Sequence, residues 1–304
     1  MERLDCTGYL AQEERLPQML AELRDVSAVH GALALAKGPP QTSRWAQNVW
    51  LEPYLLNVGS IRDAVHQLCA LQRNWWPYAF QMHRRSELTR EQLPHVTARP
   101  LRFPDPAPVA ALGSFTWLDN ARVLCSPQCT SPFPNGEPRF VEFGEDEGPP
   151  SRAYLKLFEA LTLLGRAPQP GERCLEIGAS PGGWTWVLGT LGARVIAVDR
   201  ARLAPNVRQM PNVEERLGNA FTATPDSVGE LAWLFSDVIC YPEKLYRYIE
   251  LWLASGACHN FVCTLKFQGT EHYGIIDQFA AVPNSRIVHL SANRHELTWM
   301  CTRD

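Results

Sequence analysis

The feature that most constrains this 304-residue chain is a short apolar run, Arg173–Ile177, which enters Gly178-Ala179-Ser180-Pro181-Gly182-Gly183-Trp184 directly. A buried strand that breaks into a glycine-rich loop and then a helix is the arrangement by which a doubly wound α/β sheet presents its backbone to a nucleotide-like ligand. Gly178, Gly182 and Gly183 allow the main chain to approach such a ligand where a side chain would obstruct it. Glu176, at the end of the strand, is positioned to engage an amino group or a hydroxyl.

The elements around this loop repeat regularly. A helical period covers Ser151 to Leu164, and a helix from Trp184 to Leu191 follows the loop. Strands are expected at Arg194–Val198, Val213–Leu217, Ala232–Ser236, Asn260–Leu265, Arg286–Leu290 and Glu296–Cys301, with helices at Pro242–Ala254 and His272–Ala281. Alternation of this kind predicts an α/β domain with a mainly parallel sheet covered on both faces. Asp199 closes the second strand, the usual place for an acid that accepts both hydroxyls of a ribose. The spacing through Ser180 and Pro181 is not that of a dinucleotide loop, and no Gly-Lys-Ser/Thr follows it, which turns the reading from NAD and ATP towards the adenosine of S-adenosyl-L-methionine.

The chain divides by pattern into an α+β region over residues 1–110, a connecting segment over 111–150 and the α/β domain over 151–304. In the first region, helices are expected near Gln12–Arg24 and Ser60–Leu71, and Pro100–Pro108 reads as a linker. Arg73-Asn74-Trp75-Trp76-Pro77-Tyr78 is followed by His83, Arg84, Arg85 and Arg90. Arginine beside aromatic rings suits stacking on RNA bases; an amphipathic helix with buried Trp and solvated Arg accounts for the same pattern. Strands at Phe115–Trp117 and Arg122–Leu124 surround a turn, and Ser131–Gly136 is an ordered turn or extended loop.

Composition is that of a folded globular chain, 45% hydrophobic and 20% charged. No apolar stretch is long enough to cross a membrane, and Met1 to Asp25 lacks a signal-peptide core, so the cytoplasm is the expected address. The nine cysteines include no Cys-x-x-Cys pair, and nothing in the pattern asks for a metal. With 29 basic and 32 acidic side chains the net charge is −3, so any nucleic-acid surface has to be a local patch.

Four charged residues stand at element ends where the apolar pattern does not explain them: Lys156 in the first helix, Asp237 after the fourth strand, Lys266 after the fifth and Glu296 at the last. The carboxyl ends of parallel strands share one edge, which brings Asp237 and Lys266 together beside the glycine loop, and an antiparallel last strand would begin there and add Glu296. Together the four resemble the Lys-Asp-Lys-Glu tetrad of FtsJ-like RNA 2′-O-ribose methyltransferases, and Gly178–Trp184 is similar to the cofactor loop of that family. Ser131-Pro-Phe-Pro-Asn-Gly-Glu-Pro-Arg139 and Ser151-Arg-Ala-Tyr-Leu-Lys156 resemble segments of its RlmM type, which acts on large-subunit ribosomal RNA.

The resemblance implies a Rossmann-like class I methyltransferase domain with a seven-stranded sheet and an antiparallel last strand, preceded by an RNA-binding region related to THUMP domains. It implies S-adenosyl-L-methionine held by Glu176, Gly178, Ser180, Pro181, Gly182, Gly183, Trp184, Asp199, Asn219 and Asp237. Asn219 stands where an Asp often faces the adenine, and its side-chain carbonyl can still accept from the adenine amino group. Lys266 is the candidate general base: burial, Lys156 and the sulfonium favour its neutral form, while Asp237 and Glu296 oppose that shift and hold the ammonium groups in place. RNA contacts are expected from Arg84, Arg85, Arg139 and Arg152. Another RNA, a small-molecule acceptor and a non-catalytic RNA-binding protein remain open alternatives.

Overall fold

The strands flanking the glycine loop are apolar almost without interruption because both faces of the sheet they form are covered. The computed structural model describes residues 1–144, 148–269 and 273–303. It separates into two compact units, Met1–Leu101 with Ala107–Arg139, and Arg102–Pro106 with the chain from Phe140 onward.

The first unit holds β1 (Glu2–Arg3), β2 (Cys6–Leu10), α1 (Leu16–Glu22), β3 (Val26–His30), β4 (Leu33–Lys37), β5 (Asn48–Trp50), β6 (Tyr54–Asn57), α2 (Ile61–Leu71), β7 (Trp75–Pro77), α3 (His83–Gln92), β8 (Gly113–Trp117) and β9 (Arg122–Ser126). One sheet runs β3-β4-β2-β5 and a second runs β1-β6-β9-β8-β7. Ser60 caps α2 by accepting from the Asp63 N–H. Leu56, Leu68, Trp75, Phe115 and Trp117 form the centre of one core.

Two expectations change here. Residues 111–139 are built into the first unit through β8 and β9 rather than merely connecting, and Arg102–Pro106, read as linker, packs within the second, where the Phe103 ring stacks on Phe158 at 4.1 Å. The Trp-rich stretch is a strand and not an amphipathic helix: Pro77 keeps Trp76 out of the helical region, and β7 pairs in parallel with β8.

The second unit contains α4 (Tyr154–Leu164), β10 (Arg173–Ile177), α5 (Gly183–Thr190), β11 (Arg194–Asp199), α6 (Pro205–Arg208), β12 (Val213–Leu217), α7 (Pro225–Val228), β13 (Leu231–Ser236), α8 (Pro242–Ser255), β14 (Cys258–Lys266), α9 (Tyr273–Ala280), β15 (Ser285–Val288) and β16 (Glu296–Thr302). The expected start of the helix at His272 lies outside the described residues. The seven-stranded sheet runs β12-β11-β10-β13-β14-β16-β15, parallel except for β16, which is antiparallel to both neighbours. This is the Rossmann-like methyltransferase arrangement. Strand order reverses between β10 and β13, so the crevice at their carboxyl ends is the topological switch point where such sheets bind ligands. Among the described residues, no helix is long and apolar enough to cross a membrane.

Candidate active site

The switch-point crevice is a cleft of about 330 Å³, lined by Ser151, Ala153, Glu176, Gly178, Ala179, Ser180, Pro181, Gly183, Trp184, Asp199, Asp237, Val238, Ile239 and Lys266. Gly178 follows β10 with φ +75°, and a β-carbon there would stand 2.6 Å from the Val238 Cα. The chain leaving β10 and the chain leaving β13 therefore touch backbone to backbone. At Gly183, opening α5, a β-carbon would meet the Ser151 Oγ at 2.5 Å. The loop is a cradle that extra carbons would fill, with the amino end of an eight-residue helix at its side.

Asp199 ends β11 and turns its carboxylate back on the loop: Oδ2 accepts from the Ser180 N–H and Oδ1 from the Ala201 N–H, both at 3.0 Å. Each oxygen keeps a further lone pair for a hydroxyl donor. The Ser180 hydroxyl donates to the Arg202 carbonyl at 2.9 Å. Trp184 is buried, and its indole N–H donates to the Ala153 carbonyl at 2.8 Å, which pins the chain preceding α4 against the loop.

Glu176 is 1% exposed and accepts from the Thr185 hydroxyl at 2.5 Å. Burial pushes its carboxyl up to about 8; the Thr185 hydrogen bond opposes that, and the charges of Asp237 and Asp199 add to it. At neutral pH it stands mostly protonated in a cleft that also carries two carboxylates.

The four separated charges meet. Lys156 Nζ lies 2.5 Å from Glu296 Oε1 and 3.4 Å from Asp237 Oδ1. Lys266 Nζ lies 3.0 Å from Asp237 Oδ1 and donates to the Asp237 backbone carbonyl at 2.5 Å. Asp237 is thus shared between two ammonium groups, and the β14–β16 register sets Glu296 directly opposite Lys266. Their side chains are 10 to 18% exposed, shielded enough for strong pairing, and Asp237 and Lys266 line the cleft.

Two of the expected cofactor residues stand apart from the lining. Gly182 turns behind the loop at φ +112°, against Val207. Asn219 is exposed, and its side-chain carbonyl accepts from the Phe221 N–H at 3.2 Å, capping its own turn. The arginines also differ among themselves. Arg84 is exposed on α3, whereas Arg85 lies with its guanidinium 4.4 Å from the Trp117 ring and donates to the Asn120 carbonyl. Arg139 is exposed and donates to the Ala98 carbonyl; Arg152 pairs with Glu142 at the surface of the second unit.

The sequence reading missed Ser151 and Ala153 at the cleft, and it missed Glu159. Buried one turn after Lys156, Glu159 accepts from both the N–H and the hydroxyl of Ser291, fixing the segment that leads into Glu296. An acid among Leu157, Phe158, Ala160 and Leu161 was the signal for it.

Residues 149–258 match the FtsJ-like methyltransferase family. The chain is 40% identical over 137 residues to the ribosomal RNA large subunit methyltransferase M of Halorhodospira halophila, covering 44% of this chain and 39% of that protein. It is 32% identical over 182 residues to the protein of the same name from Aromatoleum aromaticum, covering 55% and 48%. For the Xylella fastidiosa (strain M12) protein of that name, the figures are 32% over 189 residues, 58% and 52%. The chain spans about half the length of the curated relatives it matches. Among solved structures, a human methyltransferase 10 domain containing protein aligns at TM-score 0.39 and 12% identity, over 54% of this chain and 89% of its own. The segment that matches the FtsJ-like methyltransferase family, 149–258, carries Lys156, the glycine loop and Asp237.

Proposed function

We propose that this chain methylates a ribose 2′-hydroxyl of RNA, using S-adenosyl-L-methionine, with large-subunit ribosomal RNA as the substrate class and the cytoplasm as its place of work. The observation that carries the reading is the linked set Lys156–Glu296, Lys156–Asp237 and Lys266–Asp237, of which Asp237 and Lys266 line the glycine-loop cleft. The cleft suits the cofactor: Asp199 would accept from the ribose hydroxyls, the amino end of α5 would take the carboxylate, and Glu176 would face the ammonium. When bound, S-adenosyl-L-methionine supplies a methyl already activated by its sulfonium.

The residues then have two tasks, holding the acceptor hydroxyl in line and receiving its proton. Alignment of two reactants can account for roughly 7 to 11 kcal/mol of a barrier. Lys266 orients the hydroxyl and, as the neutral amine, takes its proton to become the ammonium that Asp237 holds. Asp237 holds Lys266 through two contacts, and Glu296 with Lys156 keeps Asp237 in place. Incubation with methyl-labelled cofactor and ribosomal RNA lacking the modification tests this: label recovered as 2′-O-methylnucleoside supports it. Label in another RNA would change the substrate class, and cofactor binding without label in any RNA would favour a non-catalytic RNA-binding protein.

Glu176 makes the cofactor's affinity depend on pH. A cation beside it favours the ionised carboxylate, so binding releases a proton below the ligand-free value near 8. Affinity by calorimetry should rise from about pH 6 to about pH 8 and then level off, and Glu176→Gln should flatten the profile. For the ligand-free fold the sign is opposite: the folded carboxyl keeps a proton that the unfolded one has lost, so this contribution to stability falls as pH rises from about 4.5 through about 8. Affinity constant with pH in the wild type would remove Glu176 from the ammonium site.

RNA contacts in the first unit fall to Arg84 rather than Arg85. Arg84→Glu should weaken RNA binding and flatten its salt dependence while leaving cofactor affinity unchanged. Arg85→Glu should instead lower the melting temperature, because it removes a cation from the Trp117 face. Unchanged RNA binding in Arg84→Glu would refute this placement.

A further inference from the structure

The loop between β13 and α8 carries two large apolar side chains in the open. Ile239 is 79% exposed and Tyr241 57% exposed, two and four residues beyond Asp237. Single exposed hydrophobic residues are common and need no explanation. These two differ by position, because Ile239 lines the cleft together with Asp237 and Lys266. The backbone of Tyr241 is fixed: its carbonyl accepts from the N–H of Lys244 and Leu245 as α8 begins, and Pro242 occupies the first helical position. Among the described residues, its hydroxyl has no hydrogen-bond partner and its ring no aromatic neighbour. The ring is therefore more than half open to solvent, while its backbone is fixed by the start of α8.

Distance limits what can reach it. Four residues of chain put the Tyr241 Cα within about 14 Å of Asp237 even if fully extended. The 2′-hydroxyl and the base of a nucleotide are carried on the same ribose, so a hydroxyl presented to Asp237 and Lys266 brings a flat aromatic base to this loop. Positive charge is also at hand: Lys244, in the first turn of α8, lies 4.2 Å over the Phe221 ring, and Cys240 feels both Lys244 and Lys266.

We infer that Tyr241 is the stacking platform for the nucleobase at or next to the methylated nucleotide, with Ile239 bridging between that base and the cleft. This rests on the RNA reading above and adds to it a positioning residue on the protein's side of the acceptor. Stacking needs a π face and no particular base edge, so Tyr241 fixes where the base lies and leaves its identity to other contacts.

The test uses the full chain with unmodified large-subunit ribosomal RNA. Tyr241→Ala should lose about tenfold or more in kcat/KM for RNA, the range expected when one stacked base loses its partner. Calorimetric affinity for S-adenosyl-L-methionine should stay within about twofold, which also shows that the variant is folded, and Tyr241→Phe and Tyr241→Trp should stay near wild type because they keep the ring. Ultraviolet crosslinking should attach RNA to the peptide containing Tyr241. Wild-type kinetics in Tyr241→Ala would overturn the inference, as would a Tyr241→Phe as defective as the alanine variant, since the hydroxyl and not the ring would then matter. If the wild type methylates no RNA, the function proposed above fails by itself; stacking is then judged by fluorescence anisotropy with the same RNA and S-adenosylhomocysteine. Equal binding by wild type and Tyr241→Ala, or none by either, would overturn it there.

Discussion

Lys266→Ala should abolish most methyl transfer, by about 10²- to 10⁴-fold, the range for loss of a positioned acid or base. The geometry gives the reason. Lys266 is the last residue of β14, and its ammonium nitrogen makes two contacts with Asp237, one to the carboxylate and one to the backbone carbonyl. Its amino nitrogen is therefore held at one point in the cleft, where an acceptor hydroxyl can reach it. Cofactor affinity should change by about twofold at most, because the glycine loop and Asp199 belong to β10 and β11 and keep their own hydrogen bonds.

Lys266→Arg sharpens the result. Guanidinium retains the charge and can still pair with Asp237, but it does not give up a proton in the working range. An inactive arginine variant with normal cofactor binding would assign proton transfer to Lys266. Substantial activity in Lys266→Arg together with loss in Lys266→Ala would limit it to orienting the hydroxyl. Retention of more than about a tenth of wild-type activity by Lys266→Ala would sink both roles.

The legible parts of this molecule were those with a single explanation. Strands β10, β13 and β14 read as apolar runs because helices cover both faces of a parallel sheet, and a charge just past such a run stands out. Asp237 and Lys266 were visible for that reason, and Glu296 followed once its strand was taken as antiparallel. The first unit was harder because its strands are short and its two sheets interleave in sequence. β7 has three residues, and its partner β8 lies some forty positions away, so no local period marks the pair. Arg85 shows the limit for side chains. Its neighbours in sequence suggested a solvated face, but the Trp117 ring that receives it comes from another strand. Glu159 was hidden in the opposite sense, as an acid within an apolar helical face whose partner Ser291 is over a hundred residues away.

Gly178→Ala should remove cofactor binding and methyl transfer together, and the reason is steric rather than chemical. The residue adopts φ +75°, which costs an L-amino acid about 1 to 2 kcal/mol. Its new methyl would also stand 2.6 Å from the Val238 Cα and 2.8 Å from the Val238 nitrogen, atoms of backbone that no rotamer change can move. Overpacking of that kind adds about 1 to 3 kcal/mol. Relief requires the chain leaving β13 to retreat, and the residue before Val238 is Asp237, so the shift travels into the tetrad. Gly165 provides the control. It closes α4 at φ +65° with nothing within 4 Å of its would-be β-carbon, so Gly165→Ala carries the conformational cost alone. Both variants should melt below wild type, Gly178→Ala by more. Cofactor affinity should fall by about 30-fold or more in Gly178→Ala, if most of the combined cost appears in binding, and should be unchanged in Gly165→Ala. Normal cofactor binding by Gly178→Ala would mean that the approach of the two loops is slack, and that the glycine is there for the turn and not for the ligand.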